Sequence, residues 1–223
     1  MALHFDGTDD KVGYGDLAGI DSAAALTVMA WINPDTVVPA RQVLVAKSTG
    51  AVIAVLFELA DNDIKIWHTG GGETGVTSVN LLVAGTWTHV ASVFDGSGAA
   101  NADRQKLYID GINRTLTFAG TIPSALGDGG ANALEVGAGS GAAGTTFYDG
   151  KLAFPRIWTA ALGPQEILAE MHNWRARRTQ NLLIGAPYDD LTAAEDFSGN
   201  RNHGTVTGAL QVPGPPVPYG APD

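Results

Sequence analysis

Apolar residues in this chain recur at every second position, in short runs fenced by Gly, Asp, Asn and Pro. A period of two marks a strand with one buried face, and the fences are turn formers. Such runs occupy 2–6, 11–14, 26–33, 42–47, 52–59, 63–68, 76–83, 87–94, 133–136, 147–158 and 203–212. The stretch KLYIDGINRTL, 106–116, reads as a hairpin around Asp110-Gly111. Asp-Gly suits a type I′ turn because both central residues need positive φ, and a two-residue turn sets Ile109 opposite Ile112 and Leu107 opposite Arg114. In TWTHVASVFDG the apolar residues fall on both faces, Trp87, Ala91 and Val93 on one and Val90 and Phe94 on the other. That is the pattern of a strand covered on two sides.

Helical spacing is found in LGPQEILAEMHNWRARR, about 163–178. Pro164 suits the first helical position, and Ile167, Met171 and Trp174 recur along one face. Arg175, Arg177 and Arg178 close the predicted C-terminal end favourably to the dipole. Between 119 and 146 Gly, Ala and Ser dominate, which predicts loop around one short strand. No internal repeat occurs, and no linker precedes 179. From 213 the chain reads PGPPVPYGAPD, an extended segment that cannot pack inside a sheet or helix. Many strands and one helix predict an all-β, two-sheet antiparallel sandwich over 1–212, with a Pro-rich tail over 213–223.

A core of this size forms without staples, since a chain of 223 residues buries roughly 70–75% of its unfolded surface. The chain has no Cys, so thiol catalysis, Cys-ligated metals and disulfides are excluded. Lys and Arg number 13 against 23 Asp and Glu, a net charge of −10. An acidic surface argues against nucleic acid or an anionic membrane as partner. MALHFDGTDD has neither a basic n-region nor an apolar h-region, so no secretory signal is expected. No apolar run reaches the ~18 residues that a membrane span needs.

Three groups of segments resemble the laminin-G-like, concanavalin A-like jelly-roll superfamily: ALHFDGTDDKVGYGD; LTVMAWINP with TWTHVASVFDG and KLYIDG; and FYDGKLAFPRIWTAALGPQEI. They are similar to its opening strand, its central strands and hairpin, and its closing strand and helix, over about residues 1–175. The resemblance implies a jelly roll but no single activity, because the fold hosts lectins, glycosidases, adhesion modules and virion proteins. DFSGNRNHGTVTGA, 196–209, resembles a segment found beside such domains. Pro-rich tails of this kind occur in jelly-roll proteins of phage and prophage origin.

Glycosidase chemistry needs two carboxylates about 5–10 Å apart across a cleft. The family's glucanases carry an alternating acidic triad on one inner strand. The nearest stretch here, FELADND, sets Glu58 and Asp61 on opposite faces, and Asp61 to Asp63 read as a turn. Glu135 has no acidic neighbour in sequence. Ser140 in GAGSGAAG lies in a loop rather than a nucleophile elbow. His89 reads as a packed histidine, and His4 and His203 as strand-edge residues that could pack together. Relatives hold a structural Ca²⁺ with an acidic residue where this chain has Ala153, so no metal site is expected, although Asp6, Asp9, Asp10 and Asp149 could supply oxygens. Trp31, Trp87 and Trp158 sit in apolar alternation and belong to the core.

A ligand platform is expected at Trp67, His68 and Tyr148, and a partner-binding tail at Val217 and Tyr219. These readings point to a non-catalytic structural or binding module. The foremost expectation is an exposed virion or decoration protein contacting neighbouring subunits or a particle surface, as a homo-oligomer or on a capsid. A lectin-like module for surface glycans is the alternative, and a glycoside hydrolase the second.

Overall fold

The computed structural model describes residues 1–37, 41–49, 52–60, 63–69, 73–78, 81–139, 146–189 and 194–217. Among these residues sixteen strands form two antiparallel sheets. The first runs β10 (Ile112–Arg114), β9 (Gln105–Ile109), β8 (Thr88–Asp95), β3 (Ala25–Pro34), β13 (Asp149–Trp158), β1 (Ala2–Asp6) and β16 (Leu210–Val212), with β14 (Leu182–Gly185) also paired to β13. The second runs β11 (Thr117–Ala119), β7 (Glu73–Ser78), β6 (Asp63–Thr69), β5 (Ile53–Ala60), β4 (Gln42–Ser48), β12 (Glu135–Val136), β2 (Lys11–Gly13) and β15 (Thr205–Thr207). Their facing sides form one core, with Phe5, Ile32, Val90 and Leu152 from the first sheet meeting Leu44, Phe57, Ile66 and Val136 from the second. This is the expected jelly-roll sandwich.

The hairpin follows its predicted register, Ile109 opposite Ile112 and Leu107 opposite Arg114. Asp110 and Gly111 have φ of 51° and 73°, as the type I′ turn requires. Gly111 is needed twice over, because a Cβ there would strike Leu168. β8 is covered on both sides, since Val90 and Phe94 join the inter-sheet core while Ala91 and Val93 join a cluster on the outer side.

The helix is shorter than its sequence suggests. A single-turn helix, α1, spans Asn101–Arg104, and α2 spans Pro164–Met171, so Trp174 and the basic triplet lie beyond α2 and do not meet its dipole. Side chains from the first sheet take the terminal carbonyls and stop it. Arg156 donates to the Glu170 and Asn173 oxygens, and Trp31 Nε1 donates to Met171 O at 3.1 Å. A bulge in β13 makes this reach feasible. Its register slips by one residue between Ala153 and Arg156, with Phe154 at φ 53°, which re-aims the strand. Without the extra residue, alternation would turn Arg156 inward; with it, Arg156 meets Glu170 at 3.0 Å under the helix, with side chains 3% and 1% exposed.

Three further departures have local causes. The run 203–212 divides at Gly208, φ 75° and tight against Asp10, so β15 joins the second sheet and β16 the first. The run 76–83 is strand only to Ser78, and Leu81 and Val83 are exposed beyond it. β14, a strand that apolar patterning missed, has a free edge that the motif at 196–202 covers. Asn200 and Asn202 donate to the Leu182 and Leu183 carbonyls, and Asp196 accepts from Gly185 N. The Asn-rich loop thus satisfies a sheet edge with side chains. Among the described residues no helix is long and apolar enough to cross a membrane.

Candidate functional site

At one end of the sandwich the β1–β2 turn, the segment between β3 and β4, and the start of β13 surround a groove of about 650 Å³. Asp6, Gly7 and Thr8 line it from the turn, Thr36, Arg41 and Gln42 from the second segment, and Thr146, Phe147 and Asp149 from the third. Gln42 holds these pieces together from a buried position. Its amide donates to Thr36 O at 2.9 Å, and its oxygen accepts Asp149 N at 3.0 Å. Asp6 and Asp149 are register partners on β1 and β13, so their carboxylates stand side by side on one wall. Close approach of the chains fixes this corner. A Cβ on Gly150 would enter the Asn33 carbonyl and Pro34, and one on Gly7 would press on Asp149.

The charges around the groove are unevenly satisfied. His4 Nε2 lies 2.8 Å from Asp35, and Lys151 Nζ 3.4 Å from it. Burial works to raise the Asp35 pKa, but the His4 hydrogen bond and Lys151 outweigh it and leave it lowered. Asp149 has no ion pair among the described residues; burial first, and then repulsion from Asp35 and Asp6, raises its pKa against an opposing pull from His4. Asp10 is raised as well, by burial and by repulsion from Asp6 and Asp9 against its bond from Asp6 N. The groove's lining thus carries two carboxylates, Asp6 and Asp149, and one guanidinium, Arg41, which is paired with Glu58.

The carboxylates of Asp6, Asp9 and Asp10 come within 4.8 Å of one another. Asp6 Oδ1 and Asp10 Oδ2 already accept the Thr8 and Asp6 N–H groups, so Ca²⁺ would have to fill its six to eight positions largely from backbone oxygens and water. Ala153, where the resemblance implies an acidic ligand, is fully buried beside Ala2, Phe154 and Val217. The bonds at Asp6 and Asp10 describe an acidic turn.

The residues expected to bind a ligand do not meet. Trp67 lies on the outer side of the second sheet, partly buried against Leu56 and Ala46, with its Nε1 donating to Glu58 at 2.7 Å. His68, its neighbour on β6, points the other way by strand alternation and is buried against Phe94, 2.5 Å from Gln105 Oε1. Burial lowers its pKa. Tyr148 is buried in the inter-sheet core, tilted against Phe5. His68 and Tyr148 are thus interior residues, and no ligand reaches them. Val217 is only 6% exposed and packs in the apolar cluster of Ala2, Ala153 and Phe154, so it is committed to its own domain. Tyr219 lies outside the described residues, as do Asp61 and Ser140.

The acid–base candidates are committed too. Glu58 is 1% exposed and bound by Arg41 and Trp67, and Glu135 pairs with Lys11 at 2.7 Å. Asp63 opens β6 opposite Ala60. His4 and His203 have separate partners, Asp35 and the Asp196 N–H. His89 lies under the helix, edge-on to Trp31, with no partner for Nδ1 among the described residues. Burial, aided by Arg156 and His172, brings its pKa to about 3. Trp158 is core as expected, while Trp31 and Trp87 are partly buried in the outer cluster. Arg41, Gln42, Thr36 and Phe147 were not singled out from sequence.

The sequence pattern of the concanavalin A-like lectin/glucanases superfamily matches residues 6–168, well over half the chain. The chain belongs to that superfamily. Among solved structures, a candidate carbohydrate-binding protein from Bacteroides ovatus superposes with a TM-score of 0.68 at 16% identity, over 94% of this chain and 58% of that one. The CBM40 module of the Ruminococcus gnavus IT-sialidase gives 0.56 at 12% identity, over 76% of this chain and 97% of the module. It has also been solved with α2,3-sialyllactose. Domains LG4–5 of the mouse laminin α1 chain give 0.53 at 15% identity, over 73% of this chain and 44% of theirs. These likenesses carry the fold. No curated protein matches the chain.

Proposed function

We propose that this superfamily member is a non-catalytic glycan-binding module whose ligand lies in the loop-end groove. The observation that carries the reading is the groove's lining, in which carboxylate, hydroxyl, amide and guanidinium groups converge beside one aromatic ring, Phe147. A few placed polar groups over about 300–1,000 Å³ are what a small-ligand site needs. Carbohydrate-binding modules among the structural neighbours support it. The acidic wall favours a neutral sugar, whose hydroxyls donate to Asp6 and Asp149, over the sialic acid of the CBM40 complex.

Asp6 and Asp149, adjacent as strand partners, serve in this reading as hydroxyl acceptors, and a carboxyl pair acting as acid and nucleophile would show itself as turnover of the bound glycan.

A glycan array followed by calorimetry tests the proposal with wild type and Asp149→Asn. Because the Asp149 charge is disfavoured where it stands, the Asn variant should be at least as stable as wild type, yet should bind its best neutral glycan about tenfold more weakly. Neutral-glycan binding unchanged in that variant, or turnover of the glycan that the variant abolishes, would overturn the proposal.

A further inference from the structure

The segment after α2 and the loop at 196–202 enclose a second cavity, of about 230 Å³, that shares no residue with the loop-end groove. Trp174, Arg175, Thr179, Leu182, Pro187 and Phe197 are among its lining. The Arg175 guanidinium is flanked by two rings, with Cζ 4.4 Å from the Trp174 centroid and 4.5 Å from that of Phe197. Neighbouring Arg156 and Arg178 are each ion-paired, to Glu170 and Glu166. Arg175 has neither an ion pair nor a hydrogen bond among the described residues.

Ring stacking fixes an arginine's rotamer and leaves its N–H edge as a donor fork matched to a planar carboxylate. In a chain of net charge −10, an exposed arginine with no acidic partner among the described residues, held by two rings beside a cavity, suits an anionic ligand. The nearest carboxylates are already engaged, Glu170 by Arg156 and Asp196 by Gly185 N, and charges farther off are screened over about 8 Å at physiological salt. The volume equals that of about eight waters at ~30 Å³ each, room for one sugar ring rather than an extended peptide. Trp174, Pro187 and Phe197 offer it apolar walls, and Thr179 a hydroxyl.

We propose that this cavity binds the carboxylate of an acidic sugar, of the uronic acid class, through the Arg175 fork. Calorimetry on the full chain with tri-galacturonate, galactotriose and a glutamate-rich peptide tests it. Tri-galacturonate should bind, and galactotriose should bind this site at least about tenfold more weakly. Arg175→Gln should lose about tenfold or more with little change in thermal midpoint. Arg175→Lys, which keeps the charge without the fork, should lose most of the affinity too, and it serves as the test if the Gln variant fails to fold. Asp149→Asn should bind tri-galacturonate as wild type does, which separates this site from the groove. Equal binding of the acidic and neutral trisaccharides by the Asp149→Asn variant, a Lys variant as good as wild type, or a peptide bound as tightly as the sugar would each overturn the assignment.

Discussion

Replacing Glu170 by Ala should cost about 3–5 kcal/mol of folding stability, the range for leaving a buried charge without its partner. The Glu170 and Arg156 side chains are 1% and 3% exposed, so water cannot substitute for the carboxylate. Arg156 would keep the Glu170 and Asn173 carbonyl oxygens, which holds the loss below that of a fully stranded cation. Against this, the N–H groups of Arg177 and Arg178 would lose their acceptor, now 2.9 and 2.7 Å away. They are only partly buried, so their share is about 1 kcal/mol each at most. At about 2–4 °C per kcal/mol for a domain of this size, the midpoint should fall by roughly 6–20 °C. Urea unfolding followed by tryptophan fluorescence is the suitable assay, because Trp31 and Trp158 donate to the backbone of Met171 and Arg178 beside the pair. An Arg156→Met, Glu170→Leu double variant should regain most of the loss, since an apolar pair replaces a buried ion pair at little cost. A loss under about 1 kcal/mol in the single variant would refute the reasoning that this pair pins α2 to the sheet.

His89 makes stability depend on pH. Its pKa of about 3 in the fold lies below the ~6.5 of an unfolded histidine, so the unfolded chain binds the extra proton between these values. Its contribution is complete above about pH 6.5 and is lost toward pH 3, at up to about 1.4 kcal/mol per unit. His89→Gln should flatten the profile of urea midpoints in that window, and an unchanged slope would contradict the burial argument. Deleting 213–223 removes Val217 from its cluster and should lower stability by about 1.5 kcal/mol, read by calorimetry. A midpoint equal to that of the full chain would show the contact to be idle.

Strands and turns were legible because period-two patterning and Asp-Gly pairs act locally: the 106–116 hairpin follows its predicted register residue for residue. The helix end was not, because what stops α2 is Arg156, aimed by a bulge whose effect depends on pairing with β3. The groove was hidden for the same reason. Gln42 has no sequence signature, and the bond it accepts from Asp149 N spans 107 residues. Trp67 and His68 adjoin in sequence, yet strand alternation sends adjacent residues to opposite faces. Tyr148 looked loop-like because Gly-rich sequence precedes it, while its ring fills the core against Phe5. The tail's described part docks on its own domain through Val217, a contact that nothing in PGPPVPYGAPD announces.

Backbone amide NMR spectra, recorded as the best-binding neutral oligosaccharide is added, test the groove most directly. The account predicts shifts concentrated at Gly7, Thr8, Arg41, Gln42, Phe147 and Asp149, with β14 and α2 unmoved. Shifts centred instead on Lys65 and Trp67, on the outer side of the second sheet, would contradict it.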